Sequence, residues 1–193
     1  MMLENELGNL NAVNAAARLL GCDLIRTIDG RQLIGRIVET EAYDESDQAS
    51  HSYRGRTERN LVMFGTAAKA YIYFTYGMHY CLNVSVGPID HGAAVLIRAM
   101  EPIAGVEHMI QNRNNTTIDN LLNGPAKICQ AFKIDKTLNG HDLNYPPLVL
   151  RLNRPVDPSA IAWSARIGIR EKGERILEWR AVISTSNYLS RPL

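Results

Sequence analysis

Leu10, Val13, Ala17 and Leu20 recur at spacings of three or four, and that period predicts a short amphipathic helix with Gly21 where its C-cap would stand. The pattern then changes. Two β-rich runs, residues 22–27 and 32–43, flank Asp29-Gly30, a dipeptide that favours a hairpin turn. Alternation along the second run puts Glu39, Glu41 and Tyr43 on one face. Residues 46–66 are polar and small and predict a loop. A second hairpin follows, with arms at 70–75 and 79–86 around the tip Tyr76-Gly77-Met78. Tyr71 and Tyr73 share a face of its first arm, as do His79, Cys81 and Asn83 on the second. Residues 93–100 read as a strand carrying Arg98 on the face of Leu96 and Met100. Helical patterns occupy about 103–113 and 125–132, the latter opened by Asn123-Gly124-Pro125 with proline at its first position. Further strands are predicted at 148–152, 165–169 and 181–184. With no repeat and no linker, residues 1–193 read as one α+β domain built on a mostly antiparallel sheet.

Composition changes this picture little. A 193-residue chain with 46% hydrophobic and 21% charged residues is ordinary for a globular protein and long enough to bury a sizeable core. No apolar run reaches the roughly 18–20 residues of a membrane helix, and no membrane partner is expected. The N-terminus is acidic and lacks the basic-then-apolar pattern of a signal peptide, which places the protein in the cytoplasm. Cys22, Cys81 and Cys129 stand far apart, and the histidines stand singly, so neither a disulfide framework, nor a metal, nor another cofactor is implied.

Charge is more informative in its distribution than in its sum. The net charge is +1, yet five acids and no base lie between Glu39 and Asp47. From His51 to Tyr80 there are four bases, Arg54, Arg56, Arg59 and Lys69, against the single acid Glu58. This stretch reads either as a solvated face or as a phosphate-facing patch beside an acidic site.

Each candidate residue has a bland reading next to a chemical one. Glu41 on a strand suits a solvated or salt-bridged carboxylate as well as a catalytic one. Arg98, amid Val95, Leu96, Ile97, Ala99 and Met100, must find a partner or sit at a strand end, so it suits a structural ion pair too. Tyr43, Tyr71, Tyr73, Tyr76 and Tyr80 include core aromatics by any reading. Taken together, they describe a polar, aromatic-walled pocket. A carboxylate and an arginine on neighbouring strands can hold a water molecule, flat rings can sandwich a flat ligand, and the Tyr-Gly-Met tip suits a wedge between stacked bases. Spacing alone leads no further than a site for something flat, such as a nucleobase.

The motifs at these residues resemble the alkyladenine (3-methyladenine) DNA glycosylase family. Ile37-Val38-Glu39-Thr40-Glu41-Ala42-Tyr43 is similar to its signature strand, and His51-Ser52-Tyr53-Arg54-Gly55-Arg56-Thr57-Glu58-Arg59-Asn60 followed by Met63-Phe64-Gly65 to its next segment. The run from Ala70 to Val84 resembles its hairpin. Val95-Leu96-Ile97-Arg98-Ala99-Met100-Glu101-Pro102, Asn123-Gly124-Pro125-Ala126-Lys127 and the weaker Arg166-Ile167-Gly168-Ile169 complete the series, in order, from about Leu10 to Ser190.

The resemblance implies a curved, mostly antiparallel sheet, a roll or open barrel like the C-terminal domain of formyltransferases, with flanking helices and a protruding β-hairpin. It implies a monofunctional enzyme that flips an alkylated or deaminated purine from duplex DNA and hydrolyses its N-glycosidic bond, working as a monomer and, in a bacterium, on the nucleoid. By the same resemblance Glu41 is the general base and Arg98 helps hold the attacking water. Tyr43, His51 and Tyr73 enclose the flipped base, and Asn83 crowds the 2-amino group of guanine. Tyr76 is the wedge, flanked by Met78 and His79, while Arg54, Arg56, Arg59 and Lys127 contact phosphates.

The chain departs from the family pattern at Thr66-Ala67-Ala68, where a Pro-Pro-Gly-like turn is expected. It also departs at His79, where some members have tyrosine, and at residues 184–188, which lack a Gly-Ser-Pro form. These changes bear on substrate range and DNA affinity more than on reaction type. A lesion-binding protein without activity would not need the Glu41–Arg98 pair, and the likeness to formyltransferases is one of fold alone. A bifunctional lyase would need an amine nucleophile in the site.

Overall fold

Chain order runs α1 (Leu3–Leu7), α2 (Ala12–Leu19), β1 (Asp23–Ile28), β2 (Arg31–Asp44), β3 (Ala70–Thr75), β4 (His79–Ser85), β5 (Ala93–Ala104), α3 (Val106–Asn112), α4 (Pro125–Ala131), β6 (Leu148–Arg151), β7 (Ile161–Ser164) and β8 (Arg180–Ile183). These come from a computed structural model, which describes residues 2–75, 77–169 and 177–193. All described strand pairs are antiparallel, in the order β3-β4-β5-β2-β1-β6, with β8 added to β2 and β7 to β8. The sheet curls into a half-barrel within a single α+β domain.

The branching of this sheet starts on β2. Residues 31–36 pair with β1, whereas Glu39, Thr40 and Glu41 pair with β8. On its other edge β2 follows β5, with three irregularities in register. Ile37 faces Met100 and Glu39 faces Ala99, so Val38 is an extra residue on β2. Thr40 faces Ile97, so Arg98 is an extra residue on β5, and Ile103 is another. A bulge switches which face the following side chains take and increases local twist. Before Val38 the core side of β2 is Leu33 and Ile37; after it the core side is Thr40 and Ala42. Glu39, Glu41 and Tyr43 therefore share the opposite face, as alternation predicts. On β5 the same device corrects a prediction. Val95 and Ile97 lie in the main core and Met100 joins them beyond the bulge, so Arg98 does not share a face with Met100.

The main core lies between the sheet and helices α2 and α4, with Leu19, Leu24, Ile37, Ile97, Met100 and Phe132 fully buried. Asn11 caps α2 by accepting from Asn14 N–H at 2.8 Å, which satisfies one of the orphan donors of the first turn. The helix is pinned to β2 by Thr40 Oγ1 donating to the Ala16 carbonyl at 2.9 Å. A smaller cluster of Met63, Phe64, Tyr71 and Ala94 stands apart from the main core.

Two further predictions need correction. The helical pattern over 103–113 begins as strand: β5 continues to Ala104, where Pro102 pairs with Gly35 and Ala104 with Ile34. Gly105 makes the break, at φ +72, and a Cβ there would meet the Gln32 carbonyl oxygen at 2.6 Å. Only then does α3 start. Residues 165–169 form no strand; β7 precedes them, and they are the start of a connection that passes the carboxylates of β2. α1 had no signal in the sequence, since Leu3 and Leu7 are its only buried anchors. Among the described residues no helix is long and apolar enough to cross a membrane.

Candidate active site

Glu41 is fully buried on the non-core face of β2 and every oxygen is held. Its Oε1 accepts from the Ile167 backbone N–H at 2.7 Å. Its Oε2 accepts from the Tyr43 hydroxyl at 2.9 Å and from an Arg98 terminal nitrogen at 3.4 Å. Burial pushes the Glu41 carboxyl above the usual carboxylate range, against the opposing pull of Arg98, the Ile167 N–H and the Tyr43 hydroxyl. A carboxylate held this way is a fixed, basic oxygen with a cation beside it. Such a pair can take a proton from water and stabilise positive charge nearby.

Tyr43, which bonds Glu41, also lines a small cavity of about 100 Å³. Tyr43, Ala49, His51, Met63, Tyr71, Tyr73, Asn83, Ala94 and Ile169 line it. The antiparallel register brings the hairpin residues together: Tyr71 faces Asn83, and Asn83 faces Leu96 on β5. Asn83 is buried, lines the cavity, and its Nδ2 donates to the Tyr71 carbonyl at 3.0 Å. The rings are set at angles. His51 stands edge-on to Tyr73 with centroids 4.6 Å apart, and Tyr71 and Tyr73 are tilted at 5.8 Å.

His51 is fixed at both ends. Its Nδ1 meets the Tyr71 hydroxyl at 2.8 Å, while its backbone carbonyl accepts from Asn60 Nδ2 at 2.8 Å. Burial, with Arg59 assisting, lowers the His51 pKa, and burial pushes Tyr71 up to about 12, so both stay neutral at neutral pH. Burial, together with the Glu41 carboxylate, pushes Tyr43 far above its ordinary value, and Tyr73 rises also through burial. The cavity is thus walled by neutral, hydrogen-bonding aromatics, with one ionisable base behind the Tyr43 ring.

The expected DNA-facing residues fall into separate groups. Arg54, Arg56 and Arg59 are exposed on the loop that Asn60 folds. Asn60 is buried, donates also to the Gly55 carbonyl at 2.9 Å, and accepts from Thr57 N–H at 2.6 Å. Arg59 lies 5.8 Å from the ring centroid of Tyr73, a cavity residue. Arg56 is engaged by Asp90. At the hairpin tip Met78 is 68% exposed, and His79 is half-buried at the start of β4. Tyr76 lies outside the described residues. Lys127 is on α4, with its ammonium bonded to the side chains of Asn120 and Asn123, and is not a cavity residue.

Residues 6–187 match the family description "Methylpurine-DNA glycosylase (MPG)". The chain belongs to the methylpurine-DNA glycosylase family. Relatives agree over nearly the whole length. A protein of Carboxydothermus hydrogenoformans is 43% identical over 192 residues, covering 99% of this chain and 100% of the relative. One of Rhizobium etli is 46% identical over 182 residues, or 94% of this chain and 85% of the relative, and one of Nitrosospira multiformis is 42% identical over 94% and 90%. All three carry the name "Putative 3-methyladenine DNA glycosylase". The protein is accordingly a DNA glycosylase, an enzyme of base-excision repair.

For a DNA glycosylase the sequence points to Glu41, Arg98, Tyr43, His51, Tyr73 and Asn83; the last four line the cavity, and Glu41 and Arg98 are joined to it through the Tyr43 hydroxyl. Several neighbours escaped it. Tyr71 was visible only as an aromatic on the face of Tyr73. The Ile167 N–H that holds Glu41 is a backbone group, which no side-chain pattern reveals. Arg166 is buried with its guanidinium 4.8 Å from the Tyr43 centroid and 5.4 Å from that of Trp179, bonded to Asp47 and to the Ala42 carbonyl. It backs the wall of the cavity, and a single arginine in the Arg166-Ile167-Gly168-Ile169 motif was its only trace.

Proposed function

We propose that this glycosylase takes an alkylated or deaminated purine, flipped out of duplex DNA, between Tyr43, His51 and Tyr73 and hydrolyses its N-glycosidic bond with Glu41 as general base. Glu41 accepts the proton of a water that attacks the sugar C1′; the C1′–N bond breaks with its electron pair leaving on the base, and an abasic site remains. Developing positive charge on the sugar falls near the carboxylate. A base already cationic through alkylation departs neutral, which lowers the demand on the enzyme. The observation that carries this reading is the buried Glu41–Arg98 pair hydrogen-bonded to a cavity wall, Tyr43. Its raised pKa makes the carboxylate a stronger base than an exposed glutamate.

Simple hydrolysis suits the cavity better than lyase chemistry. No lysine lines the cavity among the described residues, and the Lys127 ammonium is occupied by two amide oxygens on α4. A small pocket with Asn83 at its wall suits rejection of the extra amino group of guanine. By the family resemblance Tyr76, which lies outside the described residues, is the wedge, with Arg54 and Arg59 contacting phosphates; the enzyme acts as a monomer.

The test separates binding from cutting. Glu41→Gln keeps shape but not basicity, so excision from duplexes each carrying one damaged purine is expected to be nearly abolished, with lesion affinity retained within about tenfold, or roughly 1.4 kcal/mol. Substantial excision by Glu41→Gln sinks the assignment. In the parent, strand breaks are expected only after alkali, as simple hydrolysis requires. Activity is also expected to fall on the acid side as Glu41 protonates, and because its pKa is raised, at higher pH than an ordinary glutamate would give. An acid limb at or below the ordinary glutamate value counts against Glu41 as the base.

A further inference from the structure

A second carboxylate lies beside the proposed base and has no part in the chemistry above. Glu39 is fully buried two residues before Glu41 on the same face of β2. Its Oε1 accepts from Arg180 Nε at 2.7 Å and from Ser190 Oγ at 2.8 Å, and lies 3.3 Å from Arg98 Nε. Its Oε2 accepts from the Ser190 N–H at 2.6 Å. Ser190 Oγ lies 3.2 Å from the same Arg98 Nε. The Arg98 guanidinium therefore spans two carboxylates, with Nε toward Glu39 and a terminal nitrogen toward Glu41. Both bulges contribute to this: Val38 turns Glu39 and Glu41 together off the core side held by Leu33 and Ile37, and Arg98, the extra residue of β5, bonds both.

Stability alone is a poor reason for such a cluster. Burying two carboxylates and two guanidiniums costs several kcal/mol per ion before pairing recovers it, and apolar side chains of similar size would fill the space as well. The arrangement instead fixes one guanidinium against the base, and a polar segment, at Ser190, against that guanidinium. We infer that Glu39 is a positioning residue for base excision, which holds Arg98 on Glu41 and fastens the Ser190 segment beside them. This rests on the reading of Glu41 as the general base.

Charge gives the inference a signature that a merely structural role lacks. Around Glu41 stand Glu39 and Tyr43 on its own strand, Arg98 from β5, Arg166 from the connection after β7, Tyr73 from β3 and Cys81 from β4; Arg180 of β8 is opposite Glu41 in register and turns its side chain to Glu39. Removing the Glu39 charge leaves Arg98 and Arg180 an excess of positive charge next to Glu41. The Glu41 carboxylate then ionises more readily, since Glu39 is one of the groups raising its pKa. All four contacts of Glu39 come from donors, so Glu39→Gln must turn its NH2 toward one of them and loosens the tether.

The experiment compares parent, Glu39→Gln, Ser190→Ala and Glu41→Gln across pH, by single-turnover excision on the damaged duplex that the parent cuts best, together with duplex affinity and a thermal melt. For Glu39→Gln the inference expects a loss in rate of about tenfold or more, as for a misplaced catalytic group. It also expects duplex affinity within about threefold and an acid limb moved to lower pH. A parental rate with a parental acid limb overturns it. So does a fall in rate that accompanies a lower melting temperature with the acid limb unmoved. If Glu39→Gln does not fold, Ser190→Ala decides: it keeps the Glu39 charge but removes the bridge to Arg98, so the rate is expected to fall at an unchanged acid limb and melting temperature, and a parental rate overturns the inference. Substantial excision by Glu41→Gln defeats the general-base reading itself, whereas an inactive Glu41→Gln beside a parental Glu39→Gln defeats only the positioning role.

Discussion

Tyr71 shares a strand face with Tyr73, as alternation requires, yet its hydroxyl has a task that no period foretells: it meets His51 Nδ1 at 2.8 Å. A net hydrogen bond of this kind contributes about 0.5–1.5 kcal/mol, and roughly 1.4 kcal/mol is tenfold in a rate or an affinity. Tyr71→Phe keeps the buried ring and removes only this contact. Excision is expected to drop by up to about tenfold with the melting temperature almost unchanged. If the variant cuts at the parental rate, the His51 orientation is set elsewhere. Residue type and strand position were enough to nominate Glu41 and Arg98, and the family resemblance added His51. None of these could tell which oxygen or nitrogen each would meet, because those contacts join residues 20, 126 and 57 positions apart.

Among the elements, the loop of residues 51–60 gains its shape from one buried amide. Asn60 bonds the His51 and Gly55 carbonyls and the Thr57 N–H, so the segment that exposes Arg54, Arg56 and Arg59 also fixes a cavity residue. Three part-buried hydrogen bonds lost together cost about 2–4 kcal/mol. Asn60→Ala is expected to lower stability by that amount in denaturant unfolding and to weaken lesion-duplex affinity together with excision. A variant that loses stability but keeps parental affinity would separate the loop from the DNA. The hairpins were legible because Asp29-Gly30 and the tyrosine alternation are local signals. The bulges were not, since an extra residue at Val38 or Arg98 is defined by the partner strand.

At the scale of the whole molecule a net charge of +1 cannot hold DNA by itself, so binding must come through a local patch. Arg54 and Arg59 are exposed, and Arg59 stands over the ring of Tyr73, whereas Arg56 is engaged by Asp90. Neutralising Arg59 is expected to reduce the slope of log affinity against log salt by about one unit, and Arg56→Ala by less. Equal effects of the two would show that Asp90 releases Arg56 on DNA. A slope that neither change moves would place the patch elsewhere.

The sequence by itself determined the α+β class, the two hairpins and the main helices, because these follow from short-range periods and turn chemistry. It also carried the family, through motifs long enough to be recognised in order along the chain. Tertiary structure alone decided where β5 ends, since a strand partner on β2 overrode the helical pattern after Ile103 until Gly105 broke it. It alone decided the phase of Arg98 against Met100, the backbone donor at Ile167 and the link from Glu39 to Ser190. The physical reason is common to all of these. Each depends on a pairing register or a hydrogen bond between distant segments, and a linear pattern encodes which face a side chain prefers but not which group will be waiting there.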